Sequence, residues 1–474
     1  MGLAALVLTS AAWLRGAEYD EQYTLFLTAG THRPDWPQTE FPAGRIAAAQ
    51  TGHGSLAGIA RGLRATDVHP PLYFWAVTAW RAVFGPSLFA ARMLSVLFGL
   101  VSLVLTGAIA RRCGIRPVPA MLLTLGCYGF VYTNAIARGF APAEMLTLGG
   151  VALLLRRRPI LAGLCLGAAC CCNYLAVFVA ATVIVVTGAW PAVPATIPFL
   201  AVDAWFFAAQ HGARPDQFPP FALWPSLLRV AKYQAAAVFG GLPLYVDGVG
   251  RVVVGAIVGA VAVGVIILIV EARPWRRAIR LAAAASVAPP LGLLLLGFIF
   301  DNTPIELRYF SFGLPFVGLL VAWASRPSRG ARFHRALVLP AVLAVQCVAI
   351  AGLLLSPRTM QPYRAAATEA AGLVGDGVVL LPRGNDGVGI AGAFGIEAPA
   401  TLPILLLQAS DPIADRIRPY RRVIVAVLPR DRDSIVTIQA LHAALSAPDW
   451  RRVATGSDVE VYERTGPSIR NRRR

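Results

Sequence analysis

The sequence predicts a mainly α, polytopic membrane protein of about 11 transmembrane helices, with helices lying on the external surface and a small C-terminal α/β soluble domain. Composition is the first observation behind this. Of 474 residues, 57% are hydrophobic and 14% charged, and the mean hydropathy is +0.62, too apolar for an ordinary soluble globular chain. Charge placement is the second. The formal charge is +18, from 43 basic against 25 acidic residues, yet Lys232 is the single lysine and the arginines gather in short runs between apolar stretches. That is the positive-inside pattern. A nucleic-acid partner is excluded, because a binder would collect its basic residues on one soluble face with aromatics among them. The third observation is a change of rhythm after Ser356, where the apolar runs shorten to strand length.

Met1 to Leu14 opens the chain. It lacks the basic start of a signal peptide and reads as a membrane helix, although about 14 residues fall short of the roughly 20 that span hydrocarbon. Ser55 to Arg64 reads as a surface helix with Ser55 at its N-cap. Pro70 to Phe84 is about 23 Å long against about 30 Å of hydrocarbon, and it carries Trp75, Trp80 and Arg81, so it is read as an in-plane helix at the external surface. The spans follow at Ser87 to Ala110, Pro117 to Asn134, Ala141 to Leu155, Ile160 to Cys172, Leu175 to Ala189 and Ala192 to Ala208. Four more lie at Val252 to Val270, Leu281 to Phe300, Tyr309 to Ser325 and Ala336 to Leu355. With the first helix running outward, the clusters Arg111-Arg112, Arg156 to Arg158, Arg273 to Arg280 and Arg326 to Arg335 all fall on the cytoplasmic side. This places residues 1–356 in a membrane module with an external loop over 16–86, and residues 357–474 in an extracytoplasmic domain, within a cytoplasmic (inner or plasma) membrane. In that tail, Val378 to Leu381, Ile404 to Leu407, Val423 to Leu428 and Val459 to Tyr462 read as strands and Asp433 to Ala447 as a helix. The stretch Gly384 to Gly389 reads as a turn, since it lacks the glycine spacing of a dinucleotide fingerprint.

Seven cysteines, six of them inside apolar stretches, show no pairing pattern, and Cys170 to Cys172 are read as small buried hydrophobes. Charged residues at external membrane edges carry more information than cytoplasmic clusters, because positive-inside placement does not account for them. Asp20 and Glu21 follow the first helix directly; either could act as a general base, with ordinary solvated loop acids as the plainer alternative. Arg92, Arg138 and Arg308 fall on the same side. An arginine at a membrane edge often snorkels, yet three external ones in a chain that keeps its basic residues inside suit a lipid-linked phosphate, which guanidinium binds bidentately. Lys232 and Tyr233, assigned to an external loop from Gln210 to Gln234, could join them.

Several of these segments together resemble the GT-C glycosyltransferases, and among them the protein O-mannosyltransferase and aminoarabinose-transferase-like branch. Asp20-Glu21-Gln22-Tyr23 is similar to the Asp-Glu element of the first external loop, and Thr66 to Tyr73, through His69-Pro70-Pro71-Leu72-Tyr73, to the HPPLYY-type element. Ala137 to Ala141 is similar to E-A-R-x-Y-A with Ile136 in place of the glutamate. Glu306 to Tyr309 resembles an R-Y-x-x-P helix start with its proline later, at Pro315, and Asn173-Tyr174 stands where many members have His-Tyr. The likeness runs from about Glu18 to Pro315. It implies a GT-C-type bundle, a polyprenyl-phosphate sugar donor, a membrane lipid environment and a glycan, lipid or protein acceptor at the outer face, with no cofactor. Ile136 can neither ligate a metal nor act as an acid, so no metal is expected. By the same resemblance, Asp20 takes a proton from the acceptor hydroxyl, which displaces the lipid phosphate with inversion. Arg138 and Arg308, with Arg92 and Lys232, hold the phosphate. Glu21, His69, Tyr73, Tyr174, Glu306 and Tyr309 position the acceptor or order the loops. A flippase of lipid-linked sugar is the rival from another class, and it lacks the repeated halves and polar mid-spans of many transporters; a non-catalytic assembly subunit is a third reading.

Overall fold

The computed structural model describes residues 1–31, 33–210, 218–240, 249–272, 275–326, 332–355 and 362–465. Arg273, Pro274, residues 327–331 of the last basic cluster and residues 211–217 of the expected external loop lie outside them. The chain divides into two compact units. One comprises Met1–Leu14, Leu63–Val77 and Ala91–Ser356; the other comprises Arg15–Gly62, Thr78–Ala90 and Pro357–Arg474.

The first unit is helical. Among the described residues six helices are long and apolar enough to cross a membrane: Leu88–Arg112, Trp190–Gln210, Val252–Glu271, Arg277–Phe300, Leu307–Ala324 and Leu337–Leu355. Shorter apolar helices at Gly2–Leu14, Pro117–Gly126, Phe140–Leu154, Pro159–Cys172 and Ala176–Thr187 stand at the other expected spans. Apolar helices of this kind make the chain an integral membrane protein.

The run Pro117 to Asn134, expected as one span, is two helices, Pro117–Gly126 and Tyr128–Thr133, broken at an extended Cys127. The break costs Leu123 its partner four residues on, because the Cys127 N–H turns to the Thr124 carbonyl at 3.1 Å. Among apolar helices no water replaces it, and protein does: the Leu123 carbonyl accepts from Cys127 Sγ at 3.2 Å and from Gln346 Nε2 at 3.3 Å. The expected loop from Gln210 to Gln234 is also corrected. Leu223–Phe239 is a helix, with Lys232 exposed on it; its apolar positions recur at helical spacing, which the polar flanks concealed.

The second unit is built on a six-stranded sheet. Its strands are β1 (Phe41–Pro42), β2 (Val378–Pro382), β3 (Pro403–Leu407), β4 (Arg422–Ala426), β5 (Trp450–Thr455) and β6 (Val459–Arg464), in the order β1-β3-β2-β4-β6-β5. Strands β3, β2 and β4 are parallel, and β1, β6 and β5 join antiparallel. Both faces of the parallel core are covered, which is why β2 reads as continuous Val-Val-Leu-Leu. Val379, Leu381, Ile404 and Ile424 face the helices Tyr19–Ala29, Tyr363–Leu373 and Gly389–Glu397, while Val378, Leu380, Leu405 and Val423 face Ile413–Ile417 and Arg432–Leu445. The helix Arg432–Leu445 starts at Asp431, whose Oδ1 accepts the Ser434 N–H at 2.7 Å. This unit is therefore assembled from the C-terminal residues together with most of the first loop, where the sequence suggested the tail alone.

Candidate functional site

In the first unit the helix Leu56–Thr66 ends just before Asp67-Val68-His69-Pro70-Pro71, and the next helix begins at Leu72. Proline keeps its predecessor out of the helical region, so Asp67 and His69 sit on a non-helical corner. Opposite them is the short turn Ala135–Gly139 that carries Arg138. Gly139 is required there, because a Cβ would lie 2.2 Å from the Cys172 carbonyl oxygen.

Arg138 is 2% exposed, so protein encloses its guanidinium. Its Nη2 lies 2.8 Å from His69 Nδ1 and 3.1 Å from Nε2, and its Nη1 lies 3.7 Å from Asp67 Oδ2. Asp67, 1% exposed, accepts the Val68 N–H at 2.7 Å and stands 3.1 Å from His69 Nδ1. A neutral imidazole can accept the guanidinium N–H only at the ring nitrogen that carries no proton. The Arg138 guanidinium also lies 5.7 Å from the Phe74 ring centroid.

The corner is tied onward through Gln210. Its Nε2 donates to the His69 and Leu63 carbonyls, each at 3.0 Å, and its Oε1 accepts the Tyr174 hydroxyl at 2.8 Å. His69, Asn173, Tyr174 and Tyr309 line a cavity of about 440 Å³ whose other walls are mostly apolar, among them Phe178, Leu200, Phe207 and Phe300. Asp203 also faces it, 6% exposed and, among the described residues, with no hydrogen bond beyond the weak thiol of Cys171.

Arg308 pairs with Glu306 at the start of the 3-10 helix Leu307–Gly313 and lies 5.5 Å from the Tyr309 ring centroid. Arg229, from the helix Leu223–Phe239, donates to the Ile305 carbonyl at 3.1 Å. Arg92 donates to the Ala12 carbonyl at 2.9 Å near the end of the first helix. Tyr73 is buried, its ring 5.6 Å from that of Phe74.

Asp20 and Glu21 belong to the second unit, in the first turn of the helix Tyr19–Ala29. Asp20 is 8% exposed. Glu21 closes the helix start by accepting the Glu18 N–H at 3.1 Å.

The expected residues His69, Tyr174 and Tyr309 thus share one cavity wall, with Arg138 held against His69. Sequence reasoning passed over Asp67, Asp203, Gln210 and Arg229. An acid within an apolar span is a signal in itself, and it would have found Asp203. Among the described residues no three His, Cys, Asp or Glu side chains converge as metal ligands.

No family model matches the chain, and no curated protein sequence does. Solved structures do. ArnT from Cupriavidus metallidurans bound to undecaprenyl phosphate aligns at a TM-score of 0.52 and 13% identity, over 97% of this chain and 96% of that one. The same protein in the apo state gives 0.53 and 12% over the same shares. At that identity the likeness is one of architecture: the chain has the GT-C glycosyltransferase fold.

Proposed function

We propose that the chain is a membrane glycosyltransferase that takes a sugar from a polyprenyl-phosphate carrier and passes it to a glycan, lipid or protein acceptor at the outer face of the cytoplasmic membrane. The observation that carries this reading is the enclosed Arg138, held by Asp67 and His69 beside a mostly apolar cavity of about 440 Å³. A guanidinium fixed next to an apolar space suits a ligand that is an anion at one end and a hydrocarbon along its length. The undecaprenyl phosphate bound to the fold relative has that chemistry.

Residue roles follow the motif resemblance. Asp20 is the general base that takes the acceptor hydroxyl proton; the oxygen attacks the anomeric carbon and the lipid phosphate leaves with its electron pair, inverting the centre. A phosphate needs no acid to leave. Arg138 and Arg308 stabilise the charge it gains, with His69 and Asp67 fixing the Arg138 fork, while Tyr174, Tyr309 and Glu306 shape the site. About 11 spans, a C-terminal domain outside and an external site complete the reading.

The test is transfer by the purified full-length protein, supplied with the lipid-linked sugar that accumulates when its gene is deleted. Asp20→Asn should leave a folded, membrane-inserted protein whose rate falls on the order of a hundredfold. Full activity in that variant would remove the base from this position.

A further inference from the structure

In a sheet wound like that of the second unit, a crevice opens where consecutive strands send their connections to opposite faces, beyond the carboxyl ends of the strands. Here that point lies between β2 and β4. The helix after β2, Gly389–Glu397, covers one face and the helix after β4, Arg432–Leu445, covers the other. The loops between carry Asn385, Asp386, Arg430 and Asp431. The chain's own first-loop helix fills this crevice. Both Tyr19 and Tyr23 donate their hydroxyls to Asp386 Oδ2; the Tyr19 hydroxyl also lies 3.1 Å from Asn385 Oδ1, and the Arg430 guanidinium lies 5.3 Å from the Tyr19 ring centroid.

The fit is close along the whole face. A Cβ at Gly389 would lie 2.3 Å from the Tyr19 ring, and one at Gly392 would lie 2.7 Å from Gln22 Oε1 and 2.8 Å from Phe26. Tyr19, Gln22, Tyr23 and Phe26 form one side of a helix of 3.6 residues per turn, and Asp20 projects about 100° around from Tyr19. The far end is pinned by Arg81, which donates to the Leu25 carbonyl at 3.2 Å and to Thr28 Oγ1. Burial pushes the Asp386 carboxyl above the usual aspartate range, with the nearby Asp431 carboxylate adding to the rise and the Gly389 N–H, the Tyr19 hydroxyl and the Val388 N–H opposing it only in part.

We infer that Asp386, Tyr19, Tyr23 and the glycine face of Gly389–Glu397 are positioning residues, and that the C-terminal domain serves the reaction by fixing the rotation of the helix that carries Asp20. The inference rests on the reading of Asp20 as the base. A small rotation of a general base is costly, since misplacement by about 1 Å can lose on the order of a hundredfold in rate.

The experiment is a double-mutant cycle in full-length protein with the same accumulated lipid-linked sugar. Tyr19→Phe/Tyr23→Phe and, separately, Gly389→Ala should lower kcat about tenfold or more. KM for the donor and binding of undecaprenyl phosphate should stay near wild type, and the loss of kcat should persist at temperatures well below each variant's unfolding transition, whatever stability the substitutions cost. Adding Tyr19→Phe/Tyr23→Phe to Asp20→Asn should cost little further, because a base already removed cannot be misaimed. Wild-type kcat in both positioning variants, beside a crippled Asp20→Asn, overturns this inference alone. An equal further loss in the Asp20→Asn background, or a loss that tracks the unfolding temperature, overturns it in favour of a stabilising contact. Full activity of Asp20→Asn overturns the base reading, and this inference with it.

Discussion

A lysine at position 138 would keep the positive charge and lose the planar fork that reaches Asp67 and His69 together. If Arg138 and Arg308 hold a donor phosphate, Arg138→Lys and Arg308→Lys should each weaken binding of undecaprenyl phosphate about tenfold, or ~1.4 kcal/mol. Titration of the lipid into purified protein reads this, and unchanged affinity in both variants would return these arginines to a structural role. At this scale the sequence displayed part of the site. His69 and Arg138 are polar residues in short conspicuous motifs. Asp67 stands two positions before His69 in the same segment, yet nothing in the spelling says that its carboxylate turns back on the imidazole. Gln210 sits at the end of an apolar span as any boundary residue does, and only the folded chain shows it joining the His69 carbonyl to Tyr174.

Elements were legible wherever their surroundings are uniform. Helices among apolar neighbours declare themselves by composition, and strands β2 to β4, covered on both faces, do so by unbroken runs. Elements with mixed surroundings did not. Strand β5 buries Trp450 and exposes both arginines that follow, so it carries no apolar run. The break at Cys127 falls within Leu-Gly-Cys-Tyr, which is apolar on either side, and the side chain that answers the carbonyl it frees lies over 200 positions on, in Gln346. That side chain donates to the Leu123 and Val238 carbonyls, both at 3.3 Å. Gln346→Leu should therefore destabilise the protein by about 1–2 kcal/mol, because each buried carbonyl left short of a donor costs something of that order while hydrogen bonds between membrane helices tend toward the lower values. Thermal unfolding in detergent measures it, and an unchanged midpoint would show that Cys127 Sγ alone satisfies the broken turn.

For the whole molecule the proposed orientation rests on the arginine clusters. The proposed topology puts Arg111, Arg156 and Arg276 in the cytoplasm and the tail outside. A reporter fused after Tyr420 should be active only if it requires the external compartment, and a cytoplasmic signal would overturn both the span count and the side assigned to the site. The pairing of Phe41 with Ile404 and Pro42 with Pro403 adds a constraint in time. Strand β1 leaves the ribosome about 360 residues before its partner, an interval of roughly 20–70 s at common rates of synthesis. Through most of that interval Tyr19, Tyr23 and Phe26 have no domain to dock against, since Asp386 and Gly389 are made only near its end. The helix bearing Asp20 can therefore reach its final seating only as the last part of the chain is completed, so a truncated product would carry every apolar span and still lack an ordered first loop.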